Sequence, residues 1–194
     1  MLLRQWCVLL LSCVAMLLPA VGGSAQEKSI PALGDKAPGF ELPAIAGSLK
    51  GKVSLDDVLK QGPVVLVVLR GYPGYQCPIC SKQVGSLANQ AAEFKKLGAN
   101  VLMVYPGPAN NLDKRAQEFL KESKLPDPLT LLLDLNYKFI NAYHLRWEAA
   151  RETAYPSTFV IDGTGKVQFA QVSRTHGDRA PVDEVLAALA KLKR

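Results

Sequence analysis

The sequence predicts an α/β fold with a central mixed sheet and flanking helices. Three observations predict it. Pro63 to Leu69 is a continuous apolar run rich in Val, which suits a strand covered on both faces. Helical spacings then alternate with short apolar runs as far as Tyr143, the pattern of a parallel sheet. Finally, Asp162-Gly163-Thr164-Gly165 joins two apolar runs, a hairpin signal that adds antiparallel strands.

The elements follow in order. Residues 26 to 33 form a mostly polar lead-in, and Gly34 to Pro43 reads as an extended, proline-punctuated segment. Val53 to Leu59 reads as a short strand and a helical turn. After the Val-rich run, Gly71-Tyr72-Pro73-Gly74 ends the strand. Val84, Leu87, Ala88, Ala91 and Leu97 recur at helical spacing, so Cys77 to Leu97 is predicted as one helix, stopped by Gly98. Val101 to Val104 is the next strand, broken by Pro106-Gly107-Pro108. Asn110 or Asn111 then caps a helix to about Lys124. Leu129 to Leu133 is a strand and Tyr137 to Tyr143 a short helix. Thr158 to Ile161 and Val167 to Val172 form the hairpin. Pro181 suits a first helical position, and that last helix runs to about Leu192.

The chain has 194 residues, which favours one domain with a leader. Its 48% hydrophobic and 21% charged residues are a globular balance. The net charge of +6 is scattered, with no basic run interleaved with aromatics, so nucleic-acid binding is a poor reading. The first 25 residues read as a cleavable signal peptide. Arg4 is their only charge, Val8 to Leu18 is apolar apart from Ser12 and Cys13, Pro19 ends the run, and Gly23-Ser24-Ala25 offers a cleavage site. Residues 26–194 would be the mature domain, exported to the periplasm or the extracellular space. The membrane would be met only through an uncleaved leader.

Cleavage after Ala25 would remove Cys7 and Cys13 and leave one close pair, Cys77-Pro78-Ile79-Cys80. One pair is no disulfide framework. Lying between a buried strand and a helix, it has a chemical meaning. Free amides and the dipole at a helix start favour negative charge, and hence the thiolate of Cys77. Cys80 sits one turn on, within reach to close a redox-active disulfide. Structural zinc needs four ligands, whereas the mature chain offers two Cys and the distant His144 and His176. Covalent haem needs His after the second Cys, where Ser81 stands. No metal and no cofactor are expected.

With those residues in view, the chain resembles the thioredoxin-fold superfamily, in its branch of alkyl hydroperoxide reductase and thiol-specific antioxidant proteins, the peroxiredoxin-like redoxins. The resemblance runs from about Gly34 to Leu192. It lies in GDKAPGFELP, VVLVVLRG with the cysteine segment, PDPLTLLLDLNYKFINAYHL, STFVIDGTGKV and GDRAPVDEVLAAL. It implies that Cys77 is the peroxidatic cysteine, with Cys80 resolving its sulfenic acid to a Cys77–Cys80 disulfide. It also implies a peroxide substrate and a thioredoxin-like dithiol reductant, and Arg179 matches an arginine found before the last helix.

Two positions depart from that pattern: Gly74 stands where the family usually has Thr or Ser, and Pro156 where it has its active-site Arg. Arg70, which leads the strand into the cysteine loop, or Arg151 would have to supply a guanidinium instead. Tyr155-Pro156-Ser157-Thr158 resembles the cis-proline loop of thiol-disulfide oxidoreductases. A cis Pro156 would face the cysteines and offer the Tyr155 backbone to a disulfide-bearing protein substrate. The chain is therefore read as an exported thiol peroxidase-like enzyme, with protein thiol-disulfide exchange or a non-enzymatic redox sensor as alternatives. The sites are Cys77 and Cys80, supported by Pro156, Tyr155, Arg70, Tyr75 and Gln76. Tyr72 is a further candidate to line the loop, His176 is read as a loop histidine and His144 as a helix end. Trp147 would cover a sheet edge or face a partner.

Overall fold

A computed structural model describes residues 29–121 and 124–192. The leader predicted over residues 1–25 lies outside them. The elements are β1 (Glu41–Gly47), β2 (Lys52–Ser54), α1 (Leu55–Leu59), β3 (Val64–Val68), α2 (Pro78–Asn89), α3 (Ala91–Lys96) and β4 (Asn100–Gly107). They continue with α4 (Leu112–Leu120), β5 (Leu129–Leu135), α5 (Lys138–Ala142), β6 (Ser157–Ile161), β7 (Val167–Val172) and α6 (Val182–Lys191). Seven strands form one mixed sheet in the order β2-β1-β5-β4-β3-β6-β7. The pairs β3–β4 and β4–β5 are parallel; the pairs β1–β2, β1–β5, β3–β6 and β6–β7 are antiparallel.

The Val-rich run becomes β3, whose five residues are all buried. Its side chains alternate between two cores, as a strand's period of two requires. Val65, Val67 and Leu69 join Val101, Met103 and Tyr105 on the face that carries α2, α3, α4 and α6. Val64, Leu66 and Val68 join Leu102, Val104 and Phe159 on the face that carries α1 and α5. A strand with apolar residues at every position is thereby covered on both sides.

Four expectations need correction. The segment after Phe40 is a paired strand, β1, between β2 and β5. Its sequence, ELPAIAG, hides this because Pro and Gly depress strand propensity. A register shift between Ala44 and Ala46 accommodates the irregularity. The helix expected over 77–97 is two helices. The Gln90 N–H bonds to Leu87 O at 3.1 Å, a three-residue closure that ends α2 before α3 begins. The helix expected to reach Lys124 ends at Leu120, with Lys121 left-handed at φ 49°. Asn111 does precede that helix, but at φ 59° and without a side-chain capping bond. Pro181 sits one position before the first turn of α6 rather than in it.

The sheet brings the site together. In a parallel β3–β4 pair the chain must leave β3 at its C-terminal end, where β4 also ends. The Leu69 N–H bonds Val104 O and the Tyr72 N–H bonds Pro106 O, so the loop after β3 runs along the end of β4. Gly71 makes this approach possible. Its φ is +78°, and a Cβ there would overlap the Pro106 carbonyl oxygen. Gly71→Ala is expected to cost about 2 kcal/mol or more, because a strained φ and a backbone clash coincide. Urea denaturation reads this directly, and a loss below 0.5 kcal/mol, the size of an ordinary surface substitution, would mean the loop relaxes freely.

Candidate active site

Cys77 is the residue that caps α2. Its backbone is extended (φ −91°, ψ 109°), and its sulfur accepts the Cys80 N–H at 3.3 Å. The sulfur thus holds the place usually taken by a Ser, Thr or Asp oxygen at an N-cap. Pro78, next in line, has no N–H to leave unpaired and a φ suited to helix. Both thiols are reduced and buried, Cys77 at 4% exposure and Cys80 at 1%.

The two sulfurs divide the charge unequally. The Cys80 thiol hydrogen-bonds to Cys77, and with the Cys80 amide and the nearby Arg179 and Arg70 it outweighs the desolvation, pulling the Cys77 thiol down to about 5. The same hydrogen bond, with burial, pushes Cys80 far up. One sulfur is therefore an anion at neutral pH and its neighbour a proton-bearing donor. Since the ionised form reacts, alkylation of Cys77 is expected to be flat from about pH 6 to 8, halved near pH 5, and tenfold slower per unit below. The measurement is iodoacetamide labelling across pH with the Cys77 peptide read by mass. A midpoint near 8.5, the value of an ordinary thiol, would contradict it.

Two arginines frame the pair. Arg179, from the loop before α6, points Nη2 at Cys80 Sγ across 3.8 Å and Nε at Gln83 Oε1 across 3.1 Å. Arg70, directly after β3 and Leu69, is 1% exposed. Its Nε donates to Glu152 Oε2 at 2.5 Å, its Nη2 to the Arg151 carbonyl at 2.6 Å, and its guanidinium lies 4.7 Å from the centre of the Tyr75 ring. Gln76 locks the loop from the other side: its amide donates to Arg115 O at 2.9 Å and accepts from Tyr105 at 2.8 Å. Arg115 also lies over Tyr72 at 4.9 Å. Cys77, Cys80, Arg70, Tyr75 and Gln76 thus share one site.

Tyr155 and Pro156 do not form the predicted groove. Register does bring them to this end of the sheet, since Ser157 pairs with Val68. The Tyr155–Pro156 bond is trans, however; the cis bond among the described residues is Asp127–Pro128. The Tyr155 N–H is spent on Leu145 O at 2.9 Å, and its carbonyl accepts from Ser157 Oγ at 2.8 Å. Its ring stacks on Trp147 at 4.9 Å, with Arg174 over it at 4.7 Å, beside an open cleft of about 530 Å³. Trp147 so covers Tyr155. His144 follows α5 as read, and Arg151 lends a carbonyl rather than a guanidinium.

Glu152 escaped the sequence reading. It lies in an irregular stretch without periodicity, and only the tertiary fold reveals its partners. Both its oxygens are engaged, by Arg70 and by His176.

The sequence matches the AhpC/TSA family over residues 33–170. The chain belongs to the AhpC/TSA family. Among relatives, a Mycobacterium tuberculosis protein named as a peroxiredoxin is 32% identical over 143 residues, 71% of this chain and 83% of that one. Peroxiredoxin Q of Sedum lineare is 29% identical over 127 residues, and this AhpC/TSA chain spans only 64% of its length. Among solved structures, the peroxidoxin BcpB of Mycobacterium tuberculosis superposes with a TM-score of 0.63 at 26% identity, covering 84% of this chain and 98% of that one. The AhpC of the same organism, at 18% identity and a TM-score of 0.66, shares the fold. The α/β architecture is the thioredoxin-like fold of these peroxiredoxins. Within that fold, with Gly74 and Pro156 departing from the expected pattern, Arg70 and Arg179 are guanidinium groups whose charges act on Cys77.

Proposed function

We propose that this chain is an exported thiol peroxidase that works through Cys77 and Cys80. The observation that carries the reading is the Cys77 sulfur itself, seated at the start of α2 on the Cys80 amide and within reach of two guanidinium charges. The Cys77 thiolate attacks one oxygen of a peroxide. The S–O bond forms as the O–O bond breaks, and the leaving oxygen takes a proton to depart as water or an alcohol. Cys77 is then a sulfenic acid.

This oxidation removes the anion that held the Cys80 proton. Arg179, 3.8 Å from Cys80, now favours the Cys80 thiolate. Cys80 attacks the Cys77 sulfur, hydroxide leaves and is protonated to water, and the disulfide closes within one helical turn. A dithiol protein of thioredoxin type then returns two electrons and two protons by exchange. Membership of the AhpC/TSA family and the peroxiredoxin relatives support this substrate and this class of reductant.

Protein thiol-disulfide exchange is less well supported, because the peptide-binding edge that it needs is closed by the trans Pro156 and the engaged Tyr155 amide. Export rests on the leader: Arg4, the apolar stretch to Leu18 and the small residues at Gly23-Ser24-Ala25. The deciding experiment exposes the reduced protein to one equivalent of hydrogen peroxide with a carbon-acid sulfenic trap. The adduct is expected on Cys77, and more of it in Cys80→Ser. An adduct confined to Cys80, or none, would sink the assignment. Processing after Ala25 is checked by the N-terminal sequence of the protein secreted by its host.

A further inference from the structure

Arg70 is a buried cation placed among anions. It is 1% exposed, and it is gripped by the Glu152 carboxylate at 2.5 Å, the Arg151 carbonyl at 2.6 Å and the Tyr75 ring at 4.7 Å. These three contacts hold it in a position shielded from solvent. At the Cys77 sulfur, Arg179, before α6, and Arg70, after β3, supply positive charge, and Cys80, on α2, supplies hydrogen bonds. Glu152 meets this set at Arg70. It touches Arg70 with one oxygen and His176 Nε2 with the other, at 2.8 Å. Its contact with the cysteine surroundings is made at the Arg70 guanidinium.

Two anions therefore share one fixed cation. A buried guanidinium stripped of its carboxylate would turn its whole field on the thiolate. A thiolate locked in so tight a pair is a poorer nucleophile, because nucleophilicity falls with the basicity of the sulfur. With Glu152 in place, Arg70 still favours the anion but does not immobilise it. We propose that Glu152 is a positioning residue, which holds Arg70 beside Cys77 and takes up part of its charge so that the thiolate forms yet stays reactive. This inference rests on the reading of Cys77 as the nucleophile.

The test is the pH dependence of iodoacetamide alkylation at the Cys77 peptide of the full reduced chain, which needs no peroxide. Loss of peroxide turnover in wild type would sink the proposed function and leave this readout intact. Glu152→Gln is expected to shift the Cys77 midpoint down by ~0.5 unit or more and to lower the plateau rate above it. Glu152→Asp keeps a buried carboxylate, and with it the fold, but retracts it by one methylene. The same downward shift is expected there at smaller size, so the test survives if the Gln variant does not fold. Arg70→Met with Glu152→Gln removes both charges, and its midpoint is expected to move up from wild type, opposite to Glu152→Gln alone. Profiles of the Gln and Asp variants that coincide with wild type would overturn the proposal. So would a downward shift in the double variant, since Glu152 would then act without Arg70.

Discussion

Cys77→Ser is expected to consume peroxide roughly a thousandfold more slowly than the parent chain, or not at all above background. A serine hydroxyl at the same N-cap accepts the Cys80 amide, so the helix start and the fold survive the change. Only the nucleophile is lost. Cys80 cannot replace it, because its sulfur is 1% exposed and out of reach of an incoming peroxide. Cys80→Ser gives a different signature. The first equivalent of peroxide is reduced, the Cys77 sulfenic acid accumulates, and turnover with a dithiol donor stops. Peroxide consumption in steady state and in a single turnover separates the two variants. Equal rates for Cys77→Ser and the parent chain would end the assignment.

The second large effect is on stability. Arg70→Met is expected to destabilise the chain by about 3–5 kcal/mol, because it leaves the Glu152 carboxylate buried without its cation. Side-chain exposures of 2% for Arg70 and 9% for Glu152 leave little water to take the place of the lost partner. His176, with a side chain 45% exposed, keeps one contact to the carboxylate and offsets little of the loss. Pairing the change with Glu152→Gln is expected to recover most of it, since removing both charges avoids the orphan. Urea midpoints of the parent and the two variants decide this. A single-variant loss within 0.5 kcal/mol, the range of ordinary surface changes, would mean that the pair contributes no more than an exposed ion pair.

The candidate centre could be located in the sequence because it is local. A Cys-Pro-Ile-Cys segment after a breaker and before a helical periodicity needs no distant residue to define it. The strands β3, β4, β5, β6 and β7 were legible because apolar runs and turn residues are local too. Elements that rest on pairing were not. β1 has Pro43, Ala44, Ala46 and Gly47 in its run, and becomes a strand only because β2 and β5 flank it. The Tyr155-Pro156 segment misled for the same reason. Its motif is shared by cis and trans forms, and the neighbouring Leu145 carbonyl and Ser157 hydroxyl claim its backbone.

By itself the sequence determined that Cys77 lies at a helix start, and that a second sulfur lies one turn away, since both follow from covalent spacing and helix periodicity. Tertiary structure decided which charges surround them. Arg70 and Glu152 stand 82 residues apart, Arg179 and Cys80 are 99 apart, and Gln76 and Tyr105 are 29 apart. Such partners meet only when the sheet closes, because an electrostatic field depends on distance through space, which no one-dimensional pattern records.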